Sequence, residues 1–259
     1  MPDASAPAIR FTDVVKAFAG TMAVDHVSLD IARGSFVALV GPSGSGKTTL
    51  LKLVNRLVDA DSGRVRVDGR DVTTVDPAIL RRGIGYVFQG IGLFPHMTVA
   101  ENIAMVPRLL GWDAGKIAAR VTELLDLVDL PQGVAGRAPA ALSGGQRQRI
   151  GVARALAAGP AVVLMDEPFG ALDPLTRDGL GTRYRALHDR FGLTSVMVTH
   201  DMQEALLLAD RVIVLDAGRI VADATPAVLL NGYGDPKVAA MIAAPRRQAE
   251  RLAELAARG

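Results

Sequence analysis

The sequence predicts an α/β fold in which a parallel-sheet core carries an antiparallel β lobe and a helical subdomain. Short apolar runs at VALV (37–40), GYVF (85–88), AVVLMD (161–166), TSVMVTH (194–200) and RVIVLD (211–216) are separated by helix-like stretches. Unbroken apolarity of this kind suits strands covered on both faces, as in a parallel sheet. IRFTDVVKAF, AVDHVSLDI and GRVRVDG, punctuated by Gly34, Gly63 and Gly69, alternate apolar with polar residues instead, the pattern of an antiparallel sheet with one wet face. Between about 95 and 155 the apolar period becomes helical, with turn signals at Gly111 to Asp113 and at LPQG (130–133), so a helical subdomain is expected there. These parts form one unit over residues 1–240. A tail follows at 241–259, in which PRRQAERLAELAARG reads as a solvated helix.

Composition narrows the classes. The 259 residues, 49% of them hydrophobic, are enough for one substantial core with a subdomain. With 29 basic against 27 acidic residues the formal charge is +2, too even to mark a nucleic-acid surface. There are no cysteines, which excludes disulfides and thiolate metal sites and fits a cytosolic setting. No signal pattern opens the chain and no apolar run reaches about 18 residues, so any membrane role is expected to be peripheral.

The stretch GPSGSGKTT, Gly41, Pro42, Ser43, Gly44, Ser45, Gly46, Lys47, Thr48 and Thr49, follows the strand candidate FVALV and precedes the helix candidate TTLLKLVNRL. That is the setting of a phosphate-binding loop. Glycines let backbone N–H groups approach and wrap an anion. Lys47 is expected to reach the β- and γ-phosphates, and the Thr48 hydroxyl to bind Mg²⁺.

Three apolar strands end in polar residues, at the strand C-ends where α/β folds place ligands. AVVLMDEP ends in Asp166 and Glu167. Asp166 is expected to hold Mg²⁺, and Glu167, pointing the other way along an extended chain, to take a proton from an attacking water. VMVTHD places His200 toward the γ-phosphate, and GYVFQ offers Gln89 as a neutral ligand for both metal and water. Taken alone, the Asp166–Glu167 end also reads as a solvated acidic turn and His200 as a structural histidine.

In ALSGGQRQRIGVARAL (141–156) Ser143 suits an N-cap, Gly144, Gly145 and Gln146 follow, and an amphipathic helix runs on. Its exposed N–H groups and dipole make a second anion site. Physics alone leaves open whether the two helix starts grip one nucleotide.

LSGGQ (142–146), together with GPSGSGKT, the VVLMDE strand, Gln89, ALD (171–173) and His200 in this order, resembles the ATPase subunit of an ABC transporter across about residues 8–240. The resemblance implies the P-loop NTPase cassette fold, ATP with Mg²⁺ as ligands, and a head-to-tail homodimer. In it Ser143, Gly144, Gly145 and Gln146 would contact the partner's γ-phosphate, Asp173 would lie at the dimer seam, and His200 would be the switch histidine. Phe18, in KAFAG, stands at the place of the family's adenine-stacking aromatic, the alternative being a strand-end core aromatic.

GYVFQGIGLFPHMTVAENIAMVPRLLGW (85–112) is similar to the ATPases of quaternary-amine and osmoprotectant importers (glycine betaine, choline, proline betaine), except that Gly90 replaces the usual glutamine. The resemblance implies a cytoplasmic subunit, peripheral to the membrane, that powers solute import through integral permease subunits and, indirectly, a solute-binding protein. A Phe94, Pro95, Met97 cluster would form part of the permease's socket or pack inside the helical subdomain. Related ATPases often continue into paired regulatory CBS domains, whereas the sequence ends at Gly259, so that device is not expected. The alternatives are an importer ATPase for another solute such as an amino acid, a soluble ABC-type ATPase acting on nucleic acid or ribosomes, and a P-loop kinase in which LSGGQ would have no role.

Overall fold

The computed structural model describes residues 6–90, 92–170 and 172–256; Ile91 and Ala171, from two of the stretches quoted above, lie outside them. β1 (Ile9–Phe18) and β2 (Thr21–Ile31) form a hairpin, and β3 (Phe36–Val40) leads into α1 (Lys47–Val54). β4 (Ser62–Val67) and β5 (Arg70–Asp71) return to the hairpin, and α2 (Pro77–Arg82) precedes β6 (Ile84–Val87). The helical subdomain comprises α3 (Val99–Leu109), α4 (Ala114–Leu127) and α5 (Gly144–Leu156). β7 (Val162–Asp166), α6 (Pro174–Phe191), β8 (Thr194–Val198), α7 (Met202–Leu208) and β9 (Arg211–Asp216) then alternate, followed by β10 (Arg219–Ala224), α8 (Pro226–Asn231) and α9 (Pro236–Ala256).

Among the described residues the strands form two sheets. The lobe is antiparallel in the order β2-β1-β4-β5, and the core sheet runs β10-β9-β3-β8-β7-β6, parallel except for β10. β10 was not foreseen; it folds back antiparallel on β9 through Ala217 and Gly218, both at positive φ. The strands also stop short of their apolar runs, leaving Phe88, Gln89, Thr199 and His200 beyond the last ladder residues. The helix expected over TTLLKLVNRL ends at Val54, with Asn55 as C-cap and Arg56 at φ 53°.

Alternate residues of the core strands divide the interior into two cores. Val37, Leu39, Leu164 and Val198 face α1 and the β lobe, whereas Phe36, Ala38, Val40, Met165 and Met197 face the helical side. Both faces are therefore covered, which is why these strands carry no polar alternation. Val238 and Ile242 fasten α9 to the helical-side core, and the described side chains from Arg246 onward are exposed, with Arg246 paired to Glu250 at 3.0 Å. The division drawn at 240/241 falls inside this helix.

On α6, His188 is 1% exposed, with Nδ1 3.0 Å from Ser195 Oγ on β8. Burial, and secondarily Arg185, pushes its imidazole below the ordinary value of 6.5. Above that value both folded and unfolded chains leave the ring neutral. Below it the unfolded chain gains a proton that the folded chain refuses, so stability falls with pH. His188→Asn should lose melting temperature less steeply than wild type between roughly pH 7 and 5; parallel slopes in the two proteins would mean that the fold does not disfavour the charged ring.

Candidate active site

The turn from β3 into α1 needs glycine for two separate reasons. A Cβ on Gly41 would lie 2.1 Å from the Leu215 carbonyl oxygen, and one on Gly46, at φ 100°, 2.1 Å from that of Ala23. Gly44, at φ 78°, has open space around it, so there only the left-handed backbone demands glycine. Ser45 turns inward and its N–H donates to the Pro42 carbonyl at 3.2 Å. Lys47 Nζ folds across the loop, donating to the carbonyls of Gly41 (2.8 Å) and Pro42 (2.7 Å). Burial lowers its pKa, opposed by the carboxylates of Glu167 and Asp166.

Ser43, Gly44, Gly46, Lys47, Thr48 and Thr49 line a cavity of about 480 Å³ whose far wall is Gln89, Glu167 and His200. The strand order explains that wall. β7 lies between β8 and β6 in a parallel sheet, so the residues just past their C-ends are neighbours. Glu167, after β7, accepts from Gln89 Nε2, after β6, at 3.1 Å, and lies 3.4 Å from His200 Nδ1, after β8.

Asp166, the last residue of β7, is 3% exposed and accepts from Thr48 Oγ1 at 2.9 Å. Burial raises its pKa despite that hydroxyl and the nearby lysines. A cation at this spot would relieve the buried charge. Among the described residues no group of three or more His, Cys, Asp or Glu could hold a metal unaided, so an ion here must share phosphate or water ligands.

Glu167 departs from the expected geometry. Its φ is 47° rather than extended, and its N–H donates to the Val198 carbonyl at 2.9 Å. The separation of the two carboxylates, Asp166 toward Thr48 and Glu167 toward Gln89 and His200, comes from this left-handed turn and not from the alternation of a strand. Such a conformation in a non-glycine residue is held only where neighbours over-determine it.

The other expected site residues lie away from this cavity. Ser143 caps α5 in a reciprocal capping box: its Oγ accepts from the Gln146 N–H at 3.2 Å, and Gln146 Oε1 accepts from the Ser143 N–H at 3.0 Å. Neither these two nor Gly144 or Gly145 lines the cavity, so within one chain the two helix starts do not converge. Asp173 caps α6, accepting from the Thr176 N–H at 3.0 Å, and that bond holds its carboxyl below the usual range. Phe18 is 47% exposed at the end of β1, with Lys16 Nζ 5.2 Å from its ring centre, which rules out the core-aromatic alternative.

Phe94 lines an apolar groove of about 430 Å³ between the core sheet and the helical subdomain, with Tyr86, Phe88, Met105 and Val106. Pro95 is exposed and Met97 half-buried, and neither lines it. The loop bearing them is held by Asn102, a residue that sequence reasoning missed. Fully buried, it accepts from the Phe94 N–H at 2.8 Å and donates to the carbonyls of Phe94, Met97 and Thr98. Gln148 and Arg154 were missed too; they reach from α5 to the carbonyls of Pro168 and Gly92. The available signal was a polar residue on the apolar face of a helix.

Residues 24–170 match the ABC transporter family. The glycine betaine/carnitine/choline transport ATP-binding protein OpuCA of Bacillus subtilis is 54% identical over 82% of this chain, and the chain spans 56% of that relative's length. The sulfate/thiosulfate import ATP-binding protein CysA of Xylella fastidiosa is 48% identical over 92% of the chain and 69% of its own length. The dimeric post-hydrolysis structure of the ATP-binding cassette MJ0796 bound to ADP and Pi superposes with a TM-score of 0.78 at 32% identity, covering 84% of this chain and 98% of that one.

Proposed function

Since this chain belongs to the ABC transporter family, we propose that it is the ATP-hydrolysing subunit of an importer for quaternary amines, working at the cytoplasmic face of the membrane. The observation that carries the hydrolytic part of this reading is the cavity in which the Lys47 loop faces Glu167 bracketed by Gln89 and His200, and the similarity to a glycine betaine/carnitine/choline transport protein supports the solute class. The triphosphate lies along the loop N–H groups, and Lys47 exchanges its two carbonyl partners for phosphate oxygens. Thr48, Asp166 and Gln89 are the residues that would hold Mg²⁺, which when bound neutralises charge on the phosphate oxygens. Glu167 takes a proton from a water whose oxygen bonds to the γ-phosphorus as the bond to the bridging oxygen of ADP breaks. His200 and Gln89 hold Glu167 and the γ-phosphate in register. Phe18, exposed at the end of β1, offers a ring face to adenine.

Ser143 to Gln146 belong in this reading to a neighbouring cavity, that of a second copy arranged head to tail, with Asp173 at the seam. The separation of the two helix starts within one chain supports it. The apolar groove at Phe94 supports docking of integral permease subunits, which in turn meet a solute-binding protein. No nucleic acid is needed. Among the described residues no helix is long and apolar enough to cross a membrane.

The similarity to a sulfate import protein favours one competing solute class. Deleting the gene in its host should abolish uptake of labelled glycine betaine and choline at high osmolarity while sulfate uptake continues. Loss of sulfate uptake alone would move the assignment to oxyanions.

A further inference from the structure

We propose that Arg177 is a positioning residue that clasps the loop carrying Asp173 to the turn carrying His200. Its guanidinium donates to the Leu172 carbonyl at 3.2 Å through one terminal nitrogen and to Asp201 Oδ2 at 3.4 Å through the other. Leu172 immediately precedes Asp173, and Asp201 immediately follows His200. The Arg177 N–H also donates to the Asp173 carbonyl at 2.9 Å in the first turn of α6, which fixes the root of the side chain beneath the loop it grips.

At the other end Asp201 is anchored through both its side chain and its backbone. Oδ1 caps α7, accepting from the N–H groups of Gln203 (2.9 Å) and Glu204 (3.3 Å), and its own N–H donates to Thr199 Oγ1 at 3.0 Å. The His200 side chain is 67% exposed and meets Glu167 at 3.4 Å, so its place is set by the backbone on either side rather than by packing. The Arg177–Asp201 pair is two-thirds shielded from solvent on both partners, unlike an exposed ion pair of little consequence. The Nε of Arg177 is buried with no partner among the described residues. A shift of the Asp173 loop is therefore passed through a rigid planar fork to the His200 turn.

The inference rests on the ATPase reading for its consequence in turnover, but its geometry can be tested without it. The chain contains four histidines, so ring signals of the nucleotide-free protein resolve by NMR, with His200→Gln identifying one and His26 and His96 as internal references. Arg177→Met should move the His200 signal and leave those references in place. Asp201→Asn, which keeps the α7 cap and removes the charge, should do the same and serves if Arg177→Met fails to fold. An unmoved His200 signal in either folded variant overturns the clasp. In turnover, Arg177→Met should lower kcat on the order of 10-fold at unchanged KM for ATP and add nothing to His200→Ala, since a residue acting through another is non-additive with it. Multiplying losses overturn the inference. Wild-type turnover by His200→Ala would instead count against the catalytic reading and leave the NMR result to judge the clasp.

Discussion

Glu167→Gln should bind ATP normally yet hydrolyse it slower by a factor on the order of 10² or more. Glutamine keeps the size of the side chain and can still pair with Gln89, which now donates to Glu167 at 3.1 Å, but it accepts no proton from water. With ATP uncleaved, the γ-phosphate stays available to Ser143 to Gln146 of a second copy, so the nucleotide's binding energy is shared between two chains. Light scattering of the variant should show a dimer with ATP and none with ADP or without nucleotide. Ser143→Arg, placed at the exposed α5 cap, should abolish that dimer. Rapid hydrolysis by Glu167→Gln would eliminate this residue as the base, and an ATP-dependent dimer insensitive to Ser143→Arg would refute the shared site.

Lys47→Ala should abolish measurable hydrolysis and weaken ATP binding by roughly 10- to 100-fold. That range follows from a charge-assisted hydrogen bond to a phosphate being worth about 1.5–3 kcal/mol. The ammonium now held by the Gly41 and Pro42 carbonyls belongs to the one lysine or arginine among the residues lining the cavity, so no other side chain there can replace its charge as negative charge develops on the γ-phosphoryl group. Binding by fluorescence of a labelled nucleotide separates the two effects. Near-wild-type turnover in this variant would sink the phosphate-loop reading altogether.

The parts of this protein that local backbone chemistry dictates were legible in its sequence. Glycine at 41, 44 and 46 followed by Lys47 and Thr48 specifies a turn and a helix start within one short segment, and the apolar runs specify strands covered on both faces. LSGGQ announced a capped helix for the same reason, since Ser143 and Gln146 satisfy each other three residues apart. What needed the tertiary structure was every relation across strands. Gln89 and Glu167, 78 residues apart, meet only because β7 lies between β6 and β8, and no local pattern encodes that order. Glu167 reaches its neighbours through a left-handed φ of 47°, a conformation that distant packing imposes against the residue's own preference. Gln148 and Arg177 looked like ordinary helix polar residues until folding brought the Pro168 carbonyl and the Asp201 carboxylate to them. The sequence by itself determined which backbone could cradle a phosphate, because that choice is made by residues in covalent succession; the catalytic wall facing it was decided by tertiary structure, because side chains from three strand ends acquire a common target only when the sheet sets those ends side by side.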